Sequence, residues 1–231
     1  MGLLINKLKR ILGYQESSTV SFSQCGEDRL LFFVFHAIGV ERPSYLDVGA
    51  FDPFFINNTA LFYSNGSRGI NIEPNPHQLA KFSSHRPEDK NLCIGISDHS
   101  GTAPFYMMEQ KTVSTFSEAD ARRVSSEIGI AISETIEVNV LTLPELIDKE
   151  CSGIFPDLLS IDVEGLDLRI MQSLRGYKSL PKVICAETVL FGPETFGPKN
   201  QELIDEIIAL GFRVYADTFV NTIFLRNDLW K

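Results

Sequence analysis

Short, dense apolar runs alternate along this chain with longer stretches whose apolar residues recur at helical spacing. Ser44–Val48, Gly69–Glu73, Leu158–Asp162 and Val183–Glu187 are runs of strand length, too hydrophobic for a solvated surface. A helix is expected over Leu30–Ile38, opened by Ser23 as N-cap with Glu27 and Asp28 in its first turn and stopped by Gly39. Further helices are expected over about 58–64, from Pro76, after Thr142, through Leu168, Ile170, Met171 and Leu174, and through Leu203–Ile208 before Gly211. Leu92–Ile96 reads as a third strand, Thr102–Met108 as an extra strand or hairpin, and Ile136–Val140 as a strand with one wet face. Phe212–Ala216 and Thr222–Leu225 read as an antiparallel pair. Strand–helix alternation with such a pair predicts a single doubly wound α/β domain over 23–231, its sheet mostly parallel. Residues 109–132, polar, Ser-rich and charged, are expected to form a lid or acceptor cap.

Each of the four apolar runs carries an acid at its carboxyl end: Asp47, Glu73, Asp162 and Glu187. Ligands of open α/β sheets bind at the carboxyl ends of the strands, and Asp47 and Glu73 are one strand–helix–strand unit apart, so Glu73 is expected to hold a ribose. A dinucleotide needs a glycine-rich turn around its pyrophosphate. Here the turn is Gly49-Ala50-Phe51-Asp52-Pro53, with one glycine and an added acid. A ligand with a cationic centre and an amino-acid tail suits it better, which points to S-adenosylmethionine.

Ser23-Gln24-Cys25-Gly26-Glu27-Asp28, Leu46-Asp47-Val48-Gly49-Ala50 with Asn57-Asn58-Thr59, Ile72-Glu73-Pro74-Asn75-Pro76, Ile96-Ser97-Asp98 with Gly101, and Asp162-Val163-Glu164-Gly165 together resemble the FkbM family of S-adenosylmethionine-dependent methyltransferases. The resemblance implies a seven-stranded, Rossmann-like methyltransferase sheet, here with a small helical cap, and O-methylation of a sugar or polyketide hydroxyl, in polysaccharide or natural-product biosynthesis. It carries Asp47, Gly49, Ala50, Asn58, Glu73, Pro74, Ser97 and Asp98 over as cofactor contacts. Phe51 and Asp52 stand where the family more often has Asn and a second Gly. Asp162 and Glu164 are the catalytic candidates, because an alcohol becomes a nucleophile when a carboxylate takes its proton. Either is the base, and Asp162 has the alternative role of ordering the cofactor amino group. Glu164 and Glu187 are the candidates for binding the acceptor. No His joins Asp162 and Glu187 at ligand spacing, so no metal is expected.

Composition narrows the partners. A net charge of -9 over 231 residues disfavours a nucleic-acid binder, which needs Lys and Arg against phosphates. No apolar run approaches the ~20 residues of a membrane span. The amphipathic, basic N-terminal segment, residues 1–22, is expected to pack as a short helix, with weak membrane-surface contact as the alternative. Its basic residues interrupt the apolar run, unlike a signal peptide. Four scattered cysteines, three beside apolar residues and expected in or near the core, fit a reducing cytoplasm. The expected partner is a small-molecule or glycan acceptor. A nicotinamide-dependent oxidoreductase and a non-catalytic protein that keeps the fold are the rivals.

Overall fold

The structure, a computed structural model, describes residues 20–163, 165–190 and 197–229. Seven strands form the main sheet: β1 (Tyr45–Val48), β2 (Gly69–Ile72), β3 (Lys90–Leu92), β7 (Leu158–Ile161), β8 (Val183–Glu187), β9 (Phe212–Asp217) and β10 (Asn221–Arg226). Their order is β3-β2-β1-β7-β8-β10-β9, and β10 runs antiparallel to both of its neighbours. The order reverses direction at β1, so the chain builds outward from it twice, first through β2 and β3 and then through β7 and β8. That reversal opens a crevice at the carboxyl ends of the strands.

The period of two in β1 divides its side chains between two cores. Leu46 and Val48 pack with Ile72, Leu159, Ile161 and Ile170 on one face. Tyr45 packs on the other with Leu31, Phe35 and Phe62, from helices α1 (Glu27–Ala37) and α2 (Ala60–Ser64). On the first face lie α5 (Leu143–Cys151), α6 (Asp167–Gln172) and α7 (Gln201–Ala209). Thr142 and Glu145 close a reciprocal capping box on α5, as the Thr142 signal predicts. α3 (Pro76–His85) starts with the expected first-turn proline, and the Asn75 side chain accepts from the His77 N–H at 3.0 Å.

Three sequence expectations change. The predicted third strand divides: Lys90–Leu92 pairs with β2, whereas β4 (Gly95–Ile96) leaves for a second sheet of order β4-β6-β5. A side chain at Gly95 would lie 2.3 Å from the Phe116 ring, so only glycine lets the chain pass beneath that ring to pair with β6 (Ile132–Leu141). β6 and β5 (Gly101–Met108) form a long antiparallel ladder, as the strand patterns there predict, and it flanks residues 109–132 on either side. α1 begins after Gly26, at φ 90°, and Ser23 is not its N-cap residue; the Ser23 hydroxyl accepts instead from the Asp28 N–H at 3.2 Å. Of the cysteines, Cys185 is buried and Cys151 half-buried, but Cys93 and Cys25 are exposed. The N-terminal segment lies, up to residue 19, outside the described residues. No described helix is long and apolar enough to cross a membrane.

Candidate active site

A cavity of about 450 Å³ opens at the carboxyl ends of β1, β2, β7 and β8. Its floor is the turn after β1. Gly49 lies at φ 78°, and a Cβ there would come within 1.9 Å of the Asp162 carbonyl oxygen. The Gly49 and Ala50 N–H groups both donate to the Ile72 carbonyl at 3.0 Å, and the Asp162 N–H donates to Val48 at 3.1 Å. Three strand ends are thereby locked around one glycine. Two other cavity residues on this turn, Phe51 (φ 56°) and Ile56 (φ 50°), sit in the left-handed region. For such side chains that conformation costs roughly 1–3 kcal/mol each, so surrounding contacts must hold it. Asp52 supplies some of them, accepting from the Phe54 and Phe55 N–H groups at 3.2 Å each and pairing with Lys81 at 2.9 Å.

Glu73 supplies another. Its Oε2 accepts from the Phe51 N–H at 2.9 Å and its Oε1 from the Asn75 N–H at 2.8 Å. Each oxygen keeps a lone pair, and the residue faces the cavity. Burial raises its pKa from 4.5 to about 7, against the lowering effect of those two amides. Asp167, the first residue of α6, accepts from the Val163 and Gly165 N–H groups at 3.3 and 3.4 Å and so shapes the turn after β7. Its pKa is raised by burial to about 6.

Both shifts favour the protonated folded state. The folded protein therefore holds protons that the unfolded chain releases, and stability from this source is present below about pH 4 and is lost as pH rises through 7. The Glu73 shift alone corresponds to about 3 kcal/mol. In urea titrations of the cofactor-free protein, Glu73→Gln is expected to lose 1–3 kcal/mol less stability between pH 4.5 and 7.5 than the parent, on the order of that shift. Equal losses in the two proteins would remove Glu73 as the source.

The other strand-end acids are not equivalent. Asp47 is buried beneath the turn and does not line the cavity; it accepts from Thr59 Oγ1 at 2.7 Å and Asn57 Nδ2 at 3.1 Å. Burial raises its pKa, and nearby Arg86 opposes that rise. Asp162, exposed at the end of β7, and Glu187, half-buried at the end of β8, both line the cavity. Among the described lining residues they and Glu73 are the acids, and Lys111 is the base. Glu164 lies outside the described residues.

Of the expected cofactor residues, the cavity brings together Gly49, Glu73, Pro74 and Asp162. Ala50 lies beneath the turn, and Asn58 reaches Ser160 at 3.3 Å. Ser97 is buried, and Asp98 pairs with His99 at 2.8 Å and with Arg169; neither lines the cavity. Residues 110–114 and Phe116, from the segment expected to form a lid, line the same cavity. Among the described residues no three potential ligands converge on a metal position.

Two structural devices escape the sequence reading. Arg86 is completely buried and binds Asp89, Tyr45 Oη and Thr59 Oγ1 at 2.9 Å each and Asn57 Oδ1 at 3.2 Å. It therefore underpins the turn from below. In the Ser23–Asp28 segment, Asp28 accepts from the Phe22 N–H and Ser21 Oγ at 2.7 Å each, while Glu27 binds the Cys25 N–H, Thr218 Oγ1 and Asn221 Nδ2. These clasps present Gln24 at the cavity. The acid at the start of α6 was a signal that could have found Asp167; nothing in the sequence around Arg86 marks it as buried.

Several solved methyltransferase structures resemble the chain. An FkbM methyltransferase from Methylobacillus flagellatus KT aligns at 13% identity and TM-score 0.41, covering 92% of this chain and 46% of that one. The chain thus spans less than half of that relative's length. A TehB-like SAM-dependent methyltransferase from Corynebacterium glutamicum aligns at 10% identity and TM-score 0.45, covering 96% and 97%. The 1,6-didemethyltoxoflavin-N1-methyltransferase of Burkholderia thailandensis, solved with S-adenosylhomocysteine, aligns at 12% identity and TM-score 0.40, covering 87% and 77%. No curated protein matches significantly. The family model of the methyltransferase FkbM domain matches residues 47–214, from the first acid of β1 into β9. That match takes in most of the chain and the strand ends from β1 to β8, and by it the protein belongs to the FkbM methyltransferase family.

Proposed function

We propose that this methyltransferase uses S-adenosylmethionine and transfers its methyl group to a hydroxyl, that of a sugar, a glycan or a natural product. The observation that carries the cofactor assignment is Glu73, a carboxylate fixed by two backbone N–H groups with a lone pair left on each oxygen. That arrangement suits the paired hydroxyls of a ribose. Ile72, Pro74 and Ile96 offer apolar surface beside it for an adenine. Among the described lining residues three acids stand against one lysine, which favours a cationic ligand over a pyrophosphate and supports the sulfonium cofactor over a nicotinamide dinucleotide.

When bound, S-adenosylmethionine supplies a methyl group made electrophilic by the adjoining sulfonium. The chain's part is to hold the acceptor oxygen and take its proton. We assign the proton to Asp162 and the binding of acceptor hydroxyls to Glu187, both at the cavity wall. Glu164, with which Asp162 shares the sequence motif, is retained as the second candidate base. A cytoplasmic location belongs to the same reading, supported by four unpaired cysteines.

Isothermal titration with S-adenosylhomocysteine and with NAD tests the cofactor. We expect S-adenosylhomocysteine to bind. Glu73→Ala is expected to raise its Kd roughly 10- to 100-fold, since hydrogen bonds to a charged partner contribute about 1.5–3 kcal/mol. Binding of NAD alone would overturn the assignment. Binding of S-adenosylhomocysteine without methyl transfer to any hydroxyl acceptor would favour a non-catalytic protein that keeps the fold.

A further inference from the structure

A second cavity, of about 110 Å³, shares two of its walls, Val113 and Glu187, with the first. It extends away from Glu73, under α4 (Glu118–Arg123) and the π-helical turn Val124–Ile128 that follows it. Single π-turns interrupt the regular helical hydrogen bonding and occur often where a binding surface is being shaped. This one contributes Val124 and Ile128 to the wall.

The lining has a consistent chemistry. Thr115, Asp120, Arg123, Glu187 and Asn200 provide donors and acceptors, and the remaining side chains that wall it are aliphatic apart from Asp167. No aromatic ring is among the described lining residues. Asp120, Asp167 and Glu187 outweigh Arg123, which is itself paired with Asp120 at 3.2 Å. A phosphate, sulfate or carboxylate would therefore meet net repulsion. Asp120 comes close to the turn after β7 because residue 165 is glycine; a Cβ there would stand 3.0 Å from its Oδ2. Hydrogen-bonding groups interspersed with aliphatic surface match a saturated ring or chain that bears hydroxyls.

We propose that this second cavity is an acceptor subsite for a neutral, polyhydroxylated unit next to the one that is methylated. The acceptor is then at least two units long, and Glu187 stands at the junction. The inference rests on the proposed hydroxyl methyl transfer and specifies its substrate class.

The test measures transfer from labelled S-adenosylmethionine to neutral methyl glycosides, to the di- and trisaccharides of the same sugars, and to their phosphorylated and carboxylated counterparts. Wild type is compared with Ile128→Trp and Leu190→Trp, two partly exposed wall positions where a larger ring fills the second cavity. Affinity for S-adenosylhomocysteine and melting temperature are measured alongside. We expect kcat/KM at least tenfold higher for the neutral disaccharides than for the monoglycosides, mainly through KM. The tryptophan variants that fold should reduce that advantage at least fivefold while the Kd for S-adenosylhomocysteine stays within twofold. Equal efficiency on one- and two-unit acceptors, or an advantage untouched in both variants, overturns the subsite and leaves the methyltransferase reading standing. Preference for the charged counterparts overturns the neutral class. Tight S-adenosylhomocysteine binding with no transfer to any saccharide overturns the sugar acceptor, and with it this subsite. Failure to bind S-adenosylhomocysteine overturns the reading beneath both.

Discussion

Replacing Arg86 by alanine is expected to destabilise the protein by roughly 3–5 kcal/mol, the range for removing one partner from a buried ion pair. The guanidinium is completely buried, and each of its nitrogens is committed to an oxygen. Its loss strands the Asp89 carboxylate, which also accepts from Tyr45 Oη at 2.6 and 2.8 Å, from the Gly69 N–H at 2.9 Å and from Asn71 Nδ2 at 3.1 Å. It also removes the cation from between the rings of Tyr45, Tyr63 and Phe82, each with its centroid between 5.1 and 5.3 Å away. Equilibrium unfolding in urea measures the effect. Arg86→Met with Asp89→Asn should recover part of the loss, because no charge is then left unpaired. A single-variant cost below about 1 kcal/mol would mean that the network is not a structural anchor. Loss of S-adenosylhomocysteine affinity beyond that explained by unfolding is expected as well, since Arg86 holds Asn57 and Thr59 of the turn proposed to bind the cofactor.

Asp162→Asn is expected to lower kcat by about 10²–10⁴, the usual contribution of a positioned general base. The substitution keeps the shape of the side chain and the backbone bond to Val48 that fixes the residue. Single-turnover rates and S-adenosylhomocysteine affinity should be measured together. A fall in rate with affinity little changed supports proton removal. A Kd that rises with the rate preserved would assign the residue to the cofactor's amino group, and Glu164→Gln would then be expected to show the loss of rate.

The sheet was legible because its strands are short apolar runs separated by helix-period segments, a pattern that depends only on local sequence. The antiparallel final pair followed from the same alternation; the strand order, with its reversal at β1, is set by tertiary packing and did not. What local pattern could not reveal was where the chain changes sheet: Lys90–Leu92 and Gly95–Ile96 look continuous, but the second pairs with β6 and packs against Phe116, contacts between segments far apart in sequence. The acids at the strand ends were visible for the same reason, but their directions were not. Asp47 and Glu73 occupy similar sequence contexts, yet Asp47 turns beneath the loop towards Thr59 and Glu73 faces the cavity. Arg86 was invisible because its partners are distributed over segments from Tyr45 to Asp89 that meet only in the fold.

The position of β10 bears on how the protein is made. It is synthesised after β9 but lies between β9 and β8. Until it emerges from the ribosome, β8 presents an unpaired edge whose residues from Val183 to Ala186 are entirely buried in the finished protein. β9 cannot take its place alone, since its partner in the sheet has not yet been made. The simplest order is therefore that β9 and β10 first join as a local hairpin and then dock together against β8, where Asn221 meets Glu27 of α1. During that interval the nascent chain carries an aggregation-prone edge, and chaperone dependence should be concentrated between the synthesis of β8 and that of β10.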